Sequence, residues 1–268
     1  MVKKVLAVTL LLAMTCTLLL TGCKKEEKKE DDTTFAVGFD ASFPPYGYKD
    51  DSGEYVGFDL DLAEEVCKRN NWTLEKVPIN WDSKDMELNS GTIDCIWNGF
   101  TINGREDDYT WSEPYVDNKQ VIVVAKDSGI KDFAGLKDKV VETQADSSAL
   151  KALQNDRDDL TATFSKLTEV PEYNTAFMDL ESGACDGVAL DIGVALYQIN
   201  SRDKADDFIV LDEEISSEQY GIGFKKGNEE LRDKVWKTLL EMAEDGTVAK
   251  IAEKYSDSGV PGAVSLGK

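Results

Sequence analysis

Two charged residues of opposite sign follow apolar, strand-like runs of the chain. Asp191 comes directly after the run 187–190, and Arg105 stands shortly after Thr101, where the run 93–100 ends. An arginine guanidinium can make two parallel hydrogen bonds to a carboxylate, and a carboxylate at the end of a strand can accept an ammonium group. Residues of these two types could together bind a small molecule that carries both charges. On local grounds alone, Asp191 could equally be a helix N-cap, and a solvated loop residue is the slightly favoured interpretation of Arg105.

The residue types that catalysis and metal binding need are sparse in this sequence. Its 268 residues include no histidine, which is the commonest general base and the commonest zinc ligand. No nucleophile stands beside a base, and no glycine-rich phosphate loop or metal-ligand spacing is present. We therefore predict a protein that binds rather than catalyses, with no cofactor and no metal. The formal net charge of −22 also argues against nucleic acid and against an electrostatic hold on anionic lipid.

Three cysteines lie in the body of the chain, and an odd number does not suggest a disulfide framework. Cys67, Cys95 and Cys185 each stand among apolar neighbours. This setting favours buried thiols that pack as small hydrophobic groups. A bridge between Cys67 and Cys95 is the alternative.

The N-terminal segment differs in composition from the rest. Two lysines precede an apolar run over residues 5–20, and small residues then lead to Cys23. This order is typical of a secretory signal peptide. A membrane-spanning helix is the alternative, but the run is short for a span and threonines interrupt it. Residues 24–34 carry no apolar side chain and cannot pack a core, so they are predicted to form a flexible tether.

The motif Leu20-Thr21-Gly22-Cys23, at the end of the apolar run, resembles the lipobox of bacterial lipoproteins. The resemblance implies that the signal peptide, residues 1–22, is removed and that Cys23 becomes the first mature residue and carries lipid. Several acyl chains on one residue give lasting anchorage, whereas one chain binds only marginally. We therefore expect a cell-membrane protein, lipid-anchored on the extracytoplasmic face, with a tether over residues 23–34.

Strand-like and helix-like segments alternate through the rest of the chain, which is typical of an α/β protein with mostly parallel sheets. The strand predictions rest on apolar or alternating runs, and the helix predictions on apolar residues three or four apart. Strands are predicted over 35–39, 72–79, 93–100, 120–125, 139–142, 163–167, 187–190 and 220–225. Helices are predicted over 59–70, 85–89, 147–155, 173–181, 191–199, 231–244 and 247–255, with Asp59 as the N-cap of the first.

Six short motifs stand in the order found in one family of binding proteins. They are residues 57–63 (GFDLDLA), 88–94 (LNSGTID), 101–105 (TINGR), 111–115 (WSEPY), 186–191 (DGVALD) and 220–223 (YGIG). Through them the chain resembles the bacterial extracellular solute-binding proteins of family three, the amino-acid-capturing subunits of ABC importers, over residues 35–255.

The resemblance implies a periplasmic-binding-protein-like (type II) fold. In that fold two α/β lobes are joined by two crossing hinge strands and close on a ligand in the cleft between them. Lobe 1 would be discontinuous, with residues 35–124 and 222–268, and lobe 2 would contain residues 125–221. The implied partners are an amino acid and the subunits of an ABC permease, and we expect a monomer.

The resemblance also implies which residues bind the ligand. Arg105 would bind the α-carboxylate and Asp191 the α-ammonium group. Phe43 and Trp81 would flank the ligand side chain, and Asp40 would lie near its distal end. The remaining positions of the implied site are Asn98, Gly99, Thr101, Gln144, Ser147 and Ser148.

The sequence departs from the family pattern at two places. Three residues separate Thr101 from Arg105 where the family usually has four, and Gly104 would permit the tighter turn. Asp146 stands where the family usually has glycine. A carboxylate would weaken anion binding at that point, so we expect the side chain of Asp146 to point outward.

Together these features predict the substrate-binding subunit of an ABC importer, which captures an amino acid and delivers it to a membrane permease. Arg105 is the only basic residue that we place in the cleft, and it is committed to the α-carboxylate. An acidic ligand side chain would lack a partner, so a neutral polar or cationic amino acid is favoured. The alternatives are an enzyme on the same fold, of the dehydratase or cell-wall lyase type that uses a cleft glutamate, and a sensor input domain.

Overall fold

Strands and helices alternate along residues 33–267, the part of the chain that the computed structural model describes. The strands are β1 (Thr33–Phe39), β2 (Ser42–Phe43), β3 (Gly47–Lys49), β4 (Tyr55–Val56), β5 (Trp72–Pro78), β6 (Cys95–Thr101), β7 (Thr110–Trp111), β8 (Val116–Ala125), β9 (Val140–Gln144), β10 (Lys166–Val170), β11 (Gly187–Asp191), β12 (Phe208–Val210) and β13 (Ser216–Phe224). The α-helices are α1 (Phe58–Asn70), α2 (Lys84–Ser90), α3 (Ser148–Asn155), α4 (Asp158–Thr161), α5 (Tyr173–Ser182), α6 (Ile192–Asn200), α7 (Glu229–Glu244), α8 (Thr247–Glu253) and α9 (Val260–Ala263).

Ten of the strands form one sheet with the order β10-β9-β11-β8-β13-β6-β1-β5, to which β12 adds at β8 and β7 adds at β13. The outer pairs are parallel, with β1 between β5 and β6, and β9 between β10 and β11. The pairs of β8 with β11 and of β13 with β6 and β8 are antiparallel. The prediction of an α/β fold is confirmed, but the prediction of mostly parallel sheets is wrong: among the described residues four strand pairs are parallel and seven are antiparallel. The antiparallel pairs lie in the middle of this sheet, at its additions, and in a separate sheet of β2, β3 and β4.

The two long strands β8 and β13 run side by side through the middle of the molecule. Residues 116–120 of β8 pair with residues 216–220 of β13. The rest of β8 pairs with β11 and β12, and the rest of β13 pairs with β6 and β7. Each strand therefore takes part in both halves of the sheet, which is the arrangement expected of crossing hinge strands.

We call the half built on β1, β5 and β6 the first lobe, and the half built on β9, β10 and β11 the second lobe. Residues 33–267 belong to one compact unit, so the lobe boundaries at 124–125 and 221–222 stay predictions. Strands β6 and β11 are buried along their whole length, as expected for strands in a sheet that helices cover on both faces. Helix α1 packs on the first lobe through Leu60, Ala63 and Val66.

Several predicted elements are displaced in the structure. Strand β1 begins at Thr33, within the predicted tether, and pairs there with β5. The strand predicted over 163–167 lies at β10 instead, because residues 158–161 form the short helix α4 and Thr163 N bonds back to the Leu160 carbonyl. Asp59 is not the cap of α1, since the chain enters that helix from Gly57.

The three body cysteines are buried and free in the structure. Burial raises the pKa of Cys67 to about 12, and it also raises the pKa of Cys95 and Cys185. Within residues 33–267, none of the helices is both long and apolar enough to cross a bilayer. The predicted signal peptide, the lipidation of Cys23 and nearly all of the tether lie outside the described residues.

Candidate ligand-binding site

Nine of the eleven predicted ligand-binding residues line one pocket between the lobes: Phe43, Trp81, Asn98, Gly99, Thr101, Gln144, Ser147, Ser148 and Asp191. The other two, Asp40 and Arg105, border the pocket through hydrogen bonds to Gln144 and Ser148. The pocket has a volume of about 10 Å³, roughly the room that one water molecule needs. A ligand of amino-acid size therefore requires the lobes to move apart before it can enter.

The Arg105 guanidinium joins the two lobes at one side of the pocket. Its Nη1 donates to the Thr101 carbonyl oxygen at 3.2 Å and to Ser148 Oγ at 3.0 Å, and its Nη2 donates to the Asp146 carbonyl oxygen at 3.4 Å. Arg105 is only 3 % exposed, and its Nε has no hydrogen-bond partner among the described residues. Charge-assisted bonds to a carboxylate are stronger than these long bonds to carbonyls, so the group suits an anionic ligand end.

A tight turn brings Arg105 to this position in spite of its short spacing from Thr101. Arg105 N donates to the Ile102 carbonyl oxygen at 2.9 Å, and Gly104 between them has φ +75°. Glycine reaches such left-handed angles without the clash that a Cβ atom causes. The tighter turn expected from Gly104 is therefore present.

Asp191 ends β11 on the opposite lobe, and its carboxylate is buried in a hydrogen-bonded network. Oδ1 accepts from Asn118 Nδ2 and from Gln120 Nε2, each at 2.7 Å, and from the Tyr220 hydroxyl. Asp191 occupies the N-cap position of α6, but its side chain makes no capping bond. Burial, followed by the charge of Glu218, raises the pKa of Asp191 to about 7.

Glu218 is a second buried carboxyl group in this network, and it was absent from the predicted site. Its Oε1 accepts from Thr101 Oγ1 at 2.8 Å, and from Asn118 Nδ2 and Gln120 Nε2 at 2.7 Å each. The register explains the cluster, because Gln120 lies opposite Asp191 and Asn118 lies opposite Glu218. Paired residues of antiparallel strands point to the same face, so the four side chains, from β8, β11 and β13, project together from one face of the sheet.

The sequence carries no clear signal for this cluster. Residues 117–120 (DNKQ) and 216–219 (SSEQ) are polar at every position, so no alternation of apolar and polar residues marks them as strand. The predicted strands therefore began only at residues 120 and 220, and the face that carries Asn118 and Glu218 was not recognised.

Asp40 connects the first lobe to Gln144 of the second lobe. Its Oδ2 accepts from Gln144 Nε2 at 2.6 Å and its Oδ1 accepts from Ser42 N at 2.8 Å. Burial raises the pKa of Asp40, while these hydrogen bonds oppose the shift. The neighbouring Asn98 accepts from Asp40 N at 2.9 Å, and its Nδ2 has no partner within residues 33–267. Asn98 therefore offers a buried donor at the pocket wall.

Gly99 sits where the backbone itself must approach the aromatic wall. It has φ +54°, and a Cβ atom built on it would lie 2.9 Å from Phe43 Cε1. Its N–H donates to Asp59 Oδ2 at 2.6 Å. Asp59 is fully buried, and that burial raises its pKa to about 7. Asp59 therefore holds the β6 backbone beside the pocket, which is its role in place of the predicted helix cap.

Aromatic rings from both lobes surround the pocket. Phe43 lies 5.9 Å from Tyr46 of its own lobe and 6.1 Å from Tyr173 of the second lobe, measured between ring centroids. Trp81 meets Phe100 edge-on at 5.3 Å. Such rings bury the apolar stem of a ligand side chain, and their faces attract cations.

Lys84 corrects the expectation that Arg105 is the only basic residue in the cleft. Its side chain is 1 % exposed, its Nζ lies 5.0 Å from the centroid of Trp81, and it donates to the Asp146 carboxylate. Lys151 Nζ lies 3.6 Å from the same carboxylate. The Asp146 side chain therefore faces these two lysines, and only its backbone carbonyl contacts Arg105. Both additional cations are already paired with an anion.

The chain is a member of the bacterial extracellular solute-binding proteins, family 3, whose family model matches residues 35–258. It is 31 % identical to a probable histidine-binding protein of Neisseria gonorrhoeae, over 82 % of each chain. Among solved structures, it is similar to an ABC uptake transporter substrate-binding protein from Streptococcus pneumoniae with bound histidine. The TM-score is 0.80 at 30 % identity, over 83 % of this chain and 92 % of the other. An ancestral arginine-binding protein bound to arginine matches with a TM-score of 0.76 at 38 % identity, over 83 % and 97 %.

These comparisons confirm the predicted family and the two-lobe fold class. The relatives are binding proteins rather than enzymes by their names. The role of each pocket residue toward a ligand stays a prediction.

Proposed function

We propose that this chain captures a free amino acid in the pocket between its lobes and passes it to the permease of an ABC importer. The observation that carries the proposal is that Arg105 of the first lobe and Asp191 of the second lobe lie at the same buried pocket. A zwitterion that engages both residues would favour the closed arrangement of the lobes, because only there can it touch both. The amino-acid ligands named for the similar proteins support the same class of substrate.

The charge of the pocket favours a neutral polar or cationic side chain. Asp40, Asp191 and Glu218 supply buried carboxyl groups, whereas Lys84 is paired with Asp146. An acidic ligand side chain would lie near these carboxyl groups, and Lys84 would not be free to bind it. A cationic side chain would meet Asp40 and the ring of Phe43, since Lys84 already lies over Trp81. A cation over an aromatic ring contributes about 0.5–2 kcal/mol.

Native mass spectrometry of the purified protein, followed by calorimetry with a panel of free L-amino acids, tests this function. We expect one amino acid to be bound per chain, with arginine, histidine or glutamine among the ligands and aspartate and glutamate excluded. A panel that gives no binding heat with any amino acid, on a folded protein, would refute the proposal. Preferred binding of glutamate would refute the charge argument alone.

We also propose that the protein acts as a monomer, tethered to the membrane by lipid on Cys23. The lipobox resemblance of residues 20–23 supports the anchor, and a tether keeps a receptor at high local concentration near its permease. Cys23→Ala is expected to move the protein from the membrane to the soluble fraction without changing its melting temperature. Cys16→Ala, which alters the apolar run but not the lipobox, is the matched control. Membrane retention of Cys23→Ala would instead favour a spanning helix.

Glu218 is the one observation that favours the enzyme alternative, because lyases and dehydratases of this fold use a cleft glutamate. Its Oε1 already accepts three hydrogen bonds, which suits a structural or binding role better than a free acid. Mass spectrometry of each bound amino acid after long incubation separates the two functions. We expect the ligand to be recovered unchanged, and a ligand mass reduced by one water would favour a dehydratase.

A further inference from the structure

Glu218 of β13 and Asp191 at the end of β11 form a pair of buried carboxyl groups beside β8. The two groups are 7 % and 4 % exposed, and each accepts hydrogen bonds from the same two side-chain amides, those of Asn118 and Gln120. An amide nitrogen carries two hydrogens, so each amide can serve both carboxyl groups with one hydrogen apiece. The amides thus hold one oxygen of Asp191 and one of Glu218 near each other.

No cation neutralises this pair within the described residues. None of the ion pairs there includes Asp191 or Glu218. Arg105 borders a groove with Glu218, but its own hydrogen bonds go to Thr101, Asp146 and Ser148.

The other titratable groups that face the pair are neutral or anionic. Tyr46, Tyr173 and Tyr220 face it from the β2–β3 turn, α5 and β13, and burial raises the pKa of each well above its ordinary value. Those phenols therefore stay protonated. Asp59 of α1 is a further carboxyl group near Tyr46, and its charge also raises the pKa of that phenol. None of these four groups supplies a positive charge to Asp191 or Glu218.

Two further acceptors beside the pair also lack donors. Asn118 Oδ1 and Gln120 Oε1 are buried and have no hydrogen-bond partner within residues 33–267. A buried acceptor without a donor costs about 1–3 kcal/mol. The cluster therefore combines two acids with unpaired acceptor atoms, which is an environment that suits a group with several N–H donors, such as an ammonium ion.

We propose that Glu218 and Asp191 share one proton while the pocket holds no ligand, and that an incoming ammonium group displaces this proton, so that ligand capture releases a proton. The inference rests on the proposed function, in which Asp191 receives the ligand ammonium. Two buried carboxyl groups that share the same donors repel each other when both are ionised, so without a counter-charge one of them is expected to keep a proton. On binding, one carboxyl O–H bond breaks, its proton goes to solvent, and the ammonium group provides the missing positive charge. Glu218 is thereby a positioning residue that sets the proton content of the site.

The sign of the pH dependence follows from this exchange. In the complex the pair is fully ionised, whereas in the free protein it holds a proton below the pKa of Asp191, which is about 7. Ligand affinity should therefore rise with pH and level off above that value. For one proton released, the affinity should fall about tenfold between about pH 8 and about pH 6.

Calorimetry of the full-length protein in two buffers of different ionisation enthalpy counts the protons released. L-Arginine and L-glutamine are suitable probes, because neither titrates between about pH 5.5 and about pH 7.5, whereas histidine does. Near neutral pH we expect a substantial fraction of a proton to be released per ligand. Heat that does not depend on the buffer would overturn the inference and leave the proposed function standing, whereas no heat with any amino acid would refute the proposed function itself.

Variants test whether the released proton comes from the Glu218–Asp191 pair. Glu218→Gln should still bind, release fewer protons near neutral pH and move its pH dependence to lower pH, and Glu218→Asp should restore part of the release. Asp59→Asn is the control, because burial also raises the pKa of Asp59 to about 7. This variant should keep the wild-type proton count whatever it does to affinity. An unchanged count in Glu218→Gln, or a lost count in Asp59→Asn, would overturn the assignment. If Glu218→Gln fails to fold, the wild-type buffer series and Glu218→Asp still decide the question.

Discussion

At the scale of single residues, the site depends on charges that are buried yet only partly satisfied. Within residues 33–267, Arg105 keeps one buried donor without a partner, and Asn118 and Gln120 each keep one such acceptor. Native proteins satisfy nearly all their buried polar groups, so the exceptions beside the pocket are candidates for contacts to a ligand. The pocket therefore offers donors on the Arg105 side and acceptors on the Asp191 side, which is the polarity of a zwitterion.

Arg105→Ala should abolish tight binding while leaving the fold intact. Truncating one partner of a desolvated charge pair costs about 2–5 kcal/mol, which corresponds to at least tenfold in affinity. Calorimetry measures the loss, and Arg157→Ala is the matched control. Arg157 stacks on the ring of Phe133 at the surface of the second lobe, away from the pocket. Near-wild-type affinity in Arg105→Ala would contradict the carboxylate role.

Gly99→Ala should cost more stability than Gly104→Ala. Both glycines have positive φ, but a Cβ atom at Gly99 would also lie 2.9 Å from Phe43 and 3.2 Å from Tyr46 and Tyr220, whereas the space around Gly104 is open. A left-handed alanine costs about 1–2 kcal/mol, and the clash at Gly99 adds to that. Urea unfolding gives both values. Equal losses of unfolding free energy would show that the aromatic rings move aside for the added methyl group without a measurable cost.

At the scale of elements, two short segments hold the lobes together across the pocket. The start of α2 carries Lys84, and the turn between β9 and α3 carries Asp146, whose φ is +54°. Lys84 is buried, so removing its carboxylate leaves a desolvated ammonium group without a counter-charge. This contact exists only when the lobes are close, and it therefore favours the closed arrangement.

Asp146→Asn is expected to weaken ligand binding several-fold without changing which amino acids bind. The Asp146 carboxylate is partly exposed, so solvent screening limits the effect to about 1 kcal/mol. Calorimetry with two ligands of different side chain separates a change in closure from a change in selectivity. Asp159→Asn, which breaks the surface pair with Arg157, serves as the control. A loss confined to one ligand would place Asp146 in the ligand contact instead.

The sequence predicted the elements around the pocket far better than the pairing of the two strands that cross between the lobes. Strands such as β5 and β11 are signalled by local alternation or apolar runs, and α7 by its spaced apolar residues. The pairing of β8 with β13 joins residues about a hundred positions apart, and no local pattern fixes that register. The resemblance to a family named most pocket residues, whereas Glu218 depends on the register and Lys84 on the burial of a helix start. Both were therefore missed.

At the scale of the whole molecule, the structure is closed around a pocket too small for an amino acid. Residues 116–120 and 216–220 are the paired segment that links the two halves of the sheet. A hinge of this kind absorbs a rigid-body rotation in a few residues. Ligand entry and release must therefore pass through an open form.

Saturating ligand should make the molecule more compact on average. Small-angle scattering is expected to give a smaller radius of gyration with arginine or glutamine than without, because contacts to both lobes favour closure. Arg105→Ala provides the control, since it should show no compaction at the same ligand concentration. An unchanged radius of gyration in the wild type would mean that the protein is already closed before the ligand binds.

The wall of the pocket contains a built-in optical reporter. Of the five tryptophans in the sequence, Trp81 is the one that lines the pocket, with the Lys84 ammonium group 5.0 Å from its ring centroid. Indole emission responds to nearby charge and to water, and both change when a ligand binds between the ring and the opposite lobe. The intrinsic fluorescence of the unlabelled protein should thus register each arrival and departure of cargo in real time.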